Sequence, residues 1–173
     1  MKTLKLLISV ILLSVGLTGC FTVQYGTTGA SLSAGEKTIS VAYFPNRAPI
    51  VNPTLSQELT EKLKDKFISQ TSLDMVSGDG DLIFEGEITG YETRPIAITG
   101  NEQTDKASLN RLTITVKVKF VNQKAPKNSF DRQFMAYEDY SSDQGLDSVE
   151  GELVPLILEK LIEEIFNSSV VNW

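Results

Sequence analysis

Arg111-Leu112-Thr113-Ile114-Thr115-Val116-Lys117-Val118-Lys119-Phe120-Val121 decides the fold. Leu112, Ile114, Val116, Val118 and Phe120 alternate with Thr113, Thr115, Lys117 and Lys119. A period of two puts the apolar set on one side of a β-strand and the polar set on the other. Such a strand belongs to a sheet covered on one face, with its second face at water or at an interface. On the C-terminal side, Asn122 to Asn128 is polar and contains Pro126, which predicts a hairpin loop. A strand from Ser129 to Tyr137 follows, with Phe130, Phe134 and Ala136 in phase. On the N-terminal side a strand begins at Leu82 and ends at Pro95, before a loop that runs to Asn110. In it Leu82, Phe84, Ile88 and Gly90 share one face, and Glu85, Glu87, Thr89 and Tyr91 share the other. Gly86 and Gly90 mark bulges or close approach of another element.

Two helices frame these strands. Thr54-Leu55-Ser56-Gln57 fits a capping box, Thr at the cap and Gln three residues on. Leu55, Leu59, Leu63 and Phe67 then lie on one side of a helix over 54–70. Asp147-Ser148-Val149-Glu150 opens the second helix, over 148–168. Leu153, Ile157, Leu161 and Ile165 line it, flanked by Val154, Leu158 and Ile162, and Pro155 sits in its first turn or kinks it. Thr38 to Phe44 reads as a first strand, and Leu73 to Val76 as a short extended piece. Between the first strand and helix, 45–53 contains three prolines and cannot be helical. The order is β-α-β-β-β-α. It predicts an α+β two-layer sandwich, with both helices on one face of a mainly antiparallel four-stranded sheet.

Ahead of this domain, Lys2 and Lys5 precede an apolar run from Leu6 to Leu17, too short to span a bilayer. Leu17-Thr18-Gly19-Cys20 closes it with the only cysteine. The segment reads as a signal peptide over 1–19, with Cys20 as the lipid anchor, and its end resembles the lipobox of bacterial lipoproteins. Residues 20–37, rich in Gly, Ser and Thr, form a lipidated tether, and 38–173 form one domain. Several acyl chains on Cys20 hold a membrane far better than one.

Without the signal, 14 basic residues face 22 acidic ones, a net charge of −8 that argues against nucleic acid as a partner. There is no histidine, and the single cysteine belongs to the anchor, so histidine- and cysteine-dependent catalysis, disulfides and most zinc sites are excluded. No phosphate-binding or dinucleotide-binding glycine pattern is present. Gly78-Asp79-Gly80-Asp81 lacks the ligand spacing of a calcium loop and reads as a turn. No metal and no cofactor is expected beyond the lipid on Cys20. The charge is uneven: 106–132 is net +6 and 138–173 is net −8. The two segments either pair with each other or give a basic surface for an anionic partner. Arg94, Arg111, Lys117 and Lys119 are the candidate contacts for such a partner, and Asn46 and Arg47, in the stiff proline loop, are candidates for a protein interface.

Three strings carry a family resemblance: 41–56 (VAYFPNRAPIVNPTLS), 80–91 (GDLIFEGEITGY) and 109–116 (LNRLTITV). The chain resembles the LptE family of lipopolysaccharide-assembly lipoproteins, in its Bacteroidetes branch, over the whole mature length. The resemblance implies a non-enzymatic outer-membrane lipoprotein. Its partners would be an LptD-type β-barrel, whose assembly it aids, and lipopolysaccharide, which it helps to pass to the outer leaflet. The contacts at Arg94, Arg111, Lys117 and Lys119 would then meet lipid A phosphates or the barrel, and those at Asn46 and Arg47 the barrel wall. Phe21 is not the aspartate that holds many lipoproteins at the inner membrane, and the tether has no early acidic run. Both point to the periplasmic side of the outer membrane. The alternative is another envelope-binding module, for example one that binds cell wall; an enzyme is a distant third.

Overall fold

The structure, a computed structural model, describes residues 35–50, 52–96 and 108–170. The signal peptide, Cys20 and almost all of the tether lie outside the described residues. So do most of the loop before Asn110 and the terminal residues 171–173. The elements are β1 (Thr38–Val41), α1 (Leu55–Gln70), β2 (Asp74–Met75), β3 (Leu82–Ile96), β4 (Leu109–Asn122), β5 (Phe130–Ser141) and α2 (Leu146–Val170). The α+β class is as expected, with a helix layer on one sheet face.

The sheet differs from the expectation. It has five strands in the order β2-β1-β3-β4-β5, and it is mixed. β1 runs parallel to both neighbours, while β3, β4 and β5 form the antiparallel meander. The crossover through α1 returns the chain in the direction of β1, and the two-residue β2 then adds the outer edge.

The apolar stripes meet between the layers. Leu55, Leu59, Leu63 and Phe67 of α1 and Ile157, Leu158, Leu161 and Ile165 of α2 are fully buried. Opposite them lie Ile39, Phe84, Ile88, Leu112, Ile114, Val116, Val118 and Phe120. A chain of rings ties the layers together, from Phe166 through Phe67 (5.2 Å) and Phe84 (4.8 Å) to Phe120 (4.7 Å).

Three local details correct the sequence reading. First, the β3–β4 register slips between Ile88 and Gly90, so Thr89 is an extra residue. A bulge of this kind reverses the alternation beyond it. Gly90 therefore faces out, toward Thr115, and Tyr91 turns into the core at 3% exposure. Second, β3 continues past Pro95, which lies opposite Asn110. Gln123 donates to Asp81 and Ser142 to Ser108, so odd residues of β4 bond β3 and even ones bond β5. Asn110 thus bonds away from β3, and the missing N–H of Pro95 falls where no ladder bond is needed. Third, of the two places expected for Pro155 the first turn is excluded: it lies inside α2, which runs from Leu146 to Val170.

The start of α1 is also built differently. Thr54 makes no side-chain cap, and Gln57 bonds Glu61 rather than reaching back. Asn52 does the capping: its Oδ1 accepts from the N–H groups of Thr54 (3.0 Å) and Leu55 (3.1 Å). An asparagine oxygen at this place satisfies amides that have no intrahelical acceptor.

Candidate functional site

Among the described residues, the outward face of β3, β4 and β5 has no layer over it. Cross-strand register sorts its side chains into rows. Glu85, Lys119 and Asp131 form the first row, and Glu87, Lys117 and Gln133 the second. Gly90, Thr115 and Met135 come next, then Glu92, Thr113 and Tyr137, and last Arg94, Arg111 and Asp139. The basic column of β4 is thus flanked by acidic columns on β3 and β5.

All four candidate cations lie on this face, and each meets a carboxylate. Lys119 bonds Glu85 (3.0 Å), Lys117 stands 3.5 Å from Asp131, and Arg94 bonds Glu92 (2.8 Å). Arg111 makes a two-pronged pair with Asp139 (2.7 and 2.9 Å) and stacks on the Tyr137 ring at 3.6 Å. The Arg111 guanidinium holds the Asp139 carboxyl below the usual carboxylate range. Exposed pairs of this kind contribute at most about 1 kcal/mol each. They do neutralise the local positive charge that the strand shows when read alone. Of the pairing expected between 106–132 and 138–173, Arg111 with Asp139 is an instance, whereas Lys117 and Lys119 meet Asp131 and Glu85 outside the acidic segment. α2 contributes one cross-layer pair to this strand group, Lys160 to Glu138.

Between the charged ends the face is more apolar. Met135 is 61% exposed and Tyr137 43%, and Ile50 of the proline loop is 56% exposed. A cleft of about 460 Å³ lies between Pro49 and Ile50 on one side and Thr89, Gly90, Thr115 and Gln133 on the other. It exists because the bulge turns Tyr91 inward and leaves Gly90, without a side chain, on the floor.

The proline loop is a fixed part of this surface. Pro45 accepts from Ile88 N–H (2.9 Å) and Arg47 N–H donates to Ile88 (2.8 Å), so the loop lies along β3 as far as it can pair. The Asn46 amide is used within the loop: its Oδ1 accepts from Ala48 (3.0 Å) and its Nδ2 donates to Asn52 (3.4 Å). Arg47 is exposed and, among the described residues, has no ion pair. Of the two loop candidates, only Arg47 offers its side chain outward. A half-buried latch behind the loop went unread in the sequence. Asn52 Nδ2 donates to Glu150 (3.0 Å), which also accepts from the Tyr91 hydroxyl. Only the paired apolar stripes, which bring α2 near the loop, hinted at it.

Among the described residues no group of three or more acidic, cysteine or histidine side chains could hold a metal ion. Asp81, in the candidate calcium turn, instead accepts from the N–H groups of Lys37 (2.9 Å) and Thr38 (3.1 Å) and pairs with Lys124 (3.1 Å). Those bonds, the Lys37 amide first, lower its pKa to about 2. Among the described residues no helix is long and apolar enough to cross a membrane.

Comparison with known proteins then adds the family. Structural similarity reaches a protein of Xanthomonas campestris (TM-score 0.54, 14% identity, 82% of this chain and 90% of that one). It also reaches a hypothetical protein of Chlamydia trachomatis (TM-score 0.53, 10% identity, 79% and 99%). A minor lipoprotein of Acinetobacter baumannii is similar as well (TM-score 0.50, 15% identity, 76% and 91%). At these identities the likeness is one of fold. No curated protein sequence matches the chain. The lipopolysaccharide-assembly family model, LptE, matches residues 36–169, which span every element from β1 to α2, and the chain therefore belongs to the LptE family.

Proposed function

We propose that this protein is an outer-membrane lipoprotein, held by acyl chains on Cys20 on the periplasmic side, that partners an LptD-type β-barrel. In that complex it supports assembly of the barrel and delivery of lipopolysaccharide to the outer leaflet. The family match over residues 36–169 carries this reading. The sheet face left uncovered among the described residues supports it, because such a face is suited to docking.

The bare face is proposed as the surface toward the barrel. Arg94, Arg111, Lys117 and Lys119 take part there as members of a mixed-charge lattice. A lipid A phosphate would reach them only by replacing a bonded carboxylate, whereas a polar protein wall can meet both signs at once. Arg47 extends the same surface from the proline loop.

The deciding experiment is recovery of the full chain from membranes in detergent through a C-terminal tag. The expected result is co-purification of an LptD-type barrel, and depletion of the chain should lower mature barrel and weaken the outer-membrane barrier. Recovery of cell-wall material without a barrel would overturn the reading. Neutralising Arg94, Arg111, Lys117 and Lys119 together, with folding verified, should reduce barrel recovery. Mass spectrometry of the mature N-terminus should show an acylated Cys20.

A further inference from the structure

Among the described residues β5 is the outermost strand of the sheet, and its open edge is long. Ser142 donates to Ser108, across the β4–β5 register, and this fixes which groups face which way. Even-numbered residues of β5 turn N–H and C=O toward β4. Odd-numbered residues turn theirs to the open side. The Tyr137 carbonyl follows this rule, because it points outward and is met there by Lys160 Nζ (3.2 Å). Lys160 also binds Glu138, so the C-terminal half of the edge is guarded by α2.

The N-terminal half has no such guard. Among the described residues nothing bonds the outward main-chain groups of Asp131, Gln133 and Met135. The strand has no proline, and its pairing with β4 runs without a bulge from Phe120–Phe130 to Leu109–Ser141. Natural edge strands carry such breaks or charged side chains to prevent further pairing, and of these devices the stretch has only the charges of Asp131 and Arg132. Arg132 stacks on the Phe130 and Phe134 rings (4.7 and 4.8 Å) but has no carboxylate partner among the described residues.

We infer that the edge of β5 from Asp131 to Met135 receives an extended segment of the barrel protein as a sixth strand. This rests on the barrel reading above and adds the mode of contact. Main-chain bonds to Asp131, Gln133 and Met135 supply the attachment. An acidic side chain beside Arg132 and an apolar one beside the exposed Met135 supply the register. Lys160 sets the limit of the added strand.

Gln133 allows a test, because a proline there removes an outward N–H that the fold does not use. Full chains carrying Gln133→Ala and Gln133→Pro are compared in the detergent co-purification, with thermal unfolding recorded for each. The expected result is at least a tenfold lower barrel recovery with Gln133→Pro than with Gln133→Ala, which lacks the same side chain but keeps the main-chain N–H, at equal unfolding temperatures. Equal recovery by the two variants overturns the edge and leaves the barrel reading standing. Absence of the barrel from the wild-type sample overturns both. Should Gln133→Pro not fold, a photocrosslinking residue at Arg132, whose side chain lies at the edge on the helix side with Phe130 and Phe134 and off the bare face, decides. An adduct with the barrel supports the inference. An adduct of twice the chain's own mass, a crosslink to the chain's own N-terminal segment, or no adduct overturns it.

Discussion

Tyr91, on the bulged strand, donates its hydroxyl to Glu150 on α2, across 59 positions of sequence. The same Glu150 oxygen accepts from Asn52, which caps α1. One carboxylate thus joins the sheet, the proline loop and both helices.

Removing the hydroxyl with Tyr91→Phe should cost about 2 kcal/mol, the usual worth of a hydrogen bond to a charged group. Glu150→Ala should cost more, because it leaves both donors without an acceptor. Urea unfolding measures both, and equal midpoints for the variants and the wild type would dismiss the latch. Burial and the adjacent carboxylate push the Tyr91 pKa up from 10.0. A raised pKa means that the folded state holds the proton longer, so this contribution is whole below pH 10 and is lost as pH rises further.

Asn52→Ala should destabilise by about 1 kcal/mol as a lost cap, while Thr54→Ala should fall below about 0.5 kcal/mol. The pair separates the cap observed from the one the sequence suggests. Chemical denaturation of the two variants side by side is the measurement.

Gly86→Ala should be severe, by about 3 kcal/mol or more. An added Cβ would stand 2.2 Å from the Lys117 carbonyl oxygen and 2.5 Å from the Phe44 ring. Gly151, in α2, has nothing within 4 Å of that position, and Gly151→Ala should stabilise by about 0.5–1 kcal/mol. Thermal unfolding should move in opposite directions for the two.

Asp81 sets an acid limit. Its carboxyl titrates near 2 in the folded chain against 3.8 when free. A depressed pKa means stability that is present above the unfolded value and lost as pH falls toward the folded one. Stability should therefore decline between about pH 5 and pH 2, and Asp81→Asn should remove part of that slope. Urea midpoints across this range are the test.

Much of the architecture could be read from local pattern. Strict alternation in 111–121 put Leu112 and Phe120 inside and Lys117 and Lys119 outside, and the fourfold spacing of Leu55, Leu59 and Leu63 placed α1 against the sheet. The misses share a physical origin in contacts distant along the chain. Gly90 signals a bulge or close approach beside Tyr91, but which residue is extra, and that the faces reverse beyond it, exist only relative to β4. Asn52 is ordinary until Glu150 arrives from the second helix. The positive segment looked like a surface for anions because Glu85 and Asp139 enter its neighbourhood only through register. β1 showed no sign of being parallel, since strand direction is set by where the crossover ends.

The parallel placing of β1 also affects the order in which the fold can be completed. β3, β4 and β5 are joined by hairpins and can close over short spans. β1 must wait for partners that begin at Asp74 and Leu82, beyond the whole of α1. A chain exported from its N-terminus therefore delivers β1 first and pairs it late, with the entropy of a long loop to overcome. During that interval Ile39, Val41 and Phe44, all buried in the finished domain, stand uncovered next to the tether. On the export route proposed above, a holding factor that recognises short apolar strands would find its target there, and chains caught by one should carry it on residues 38–44.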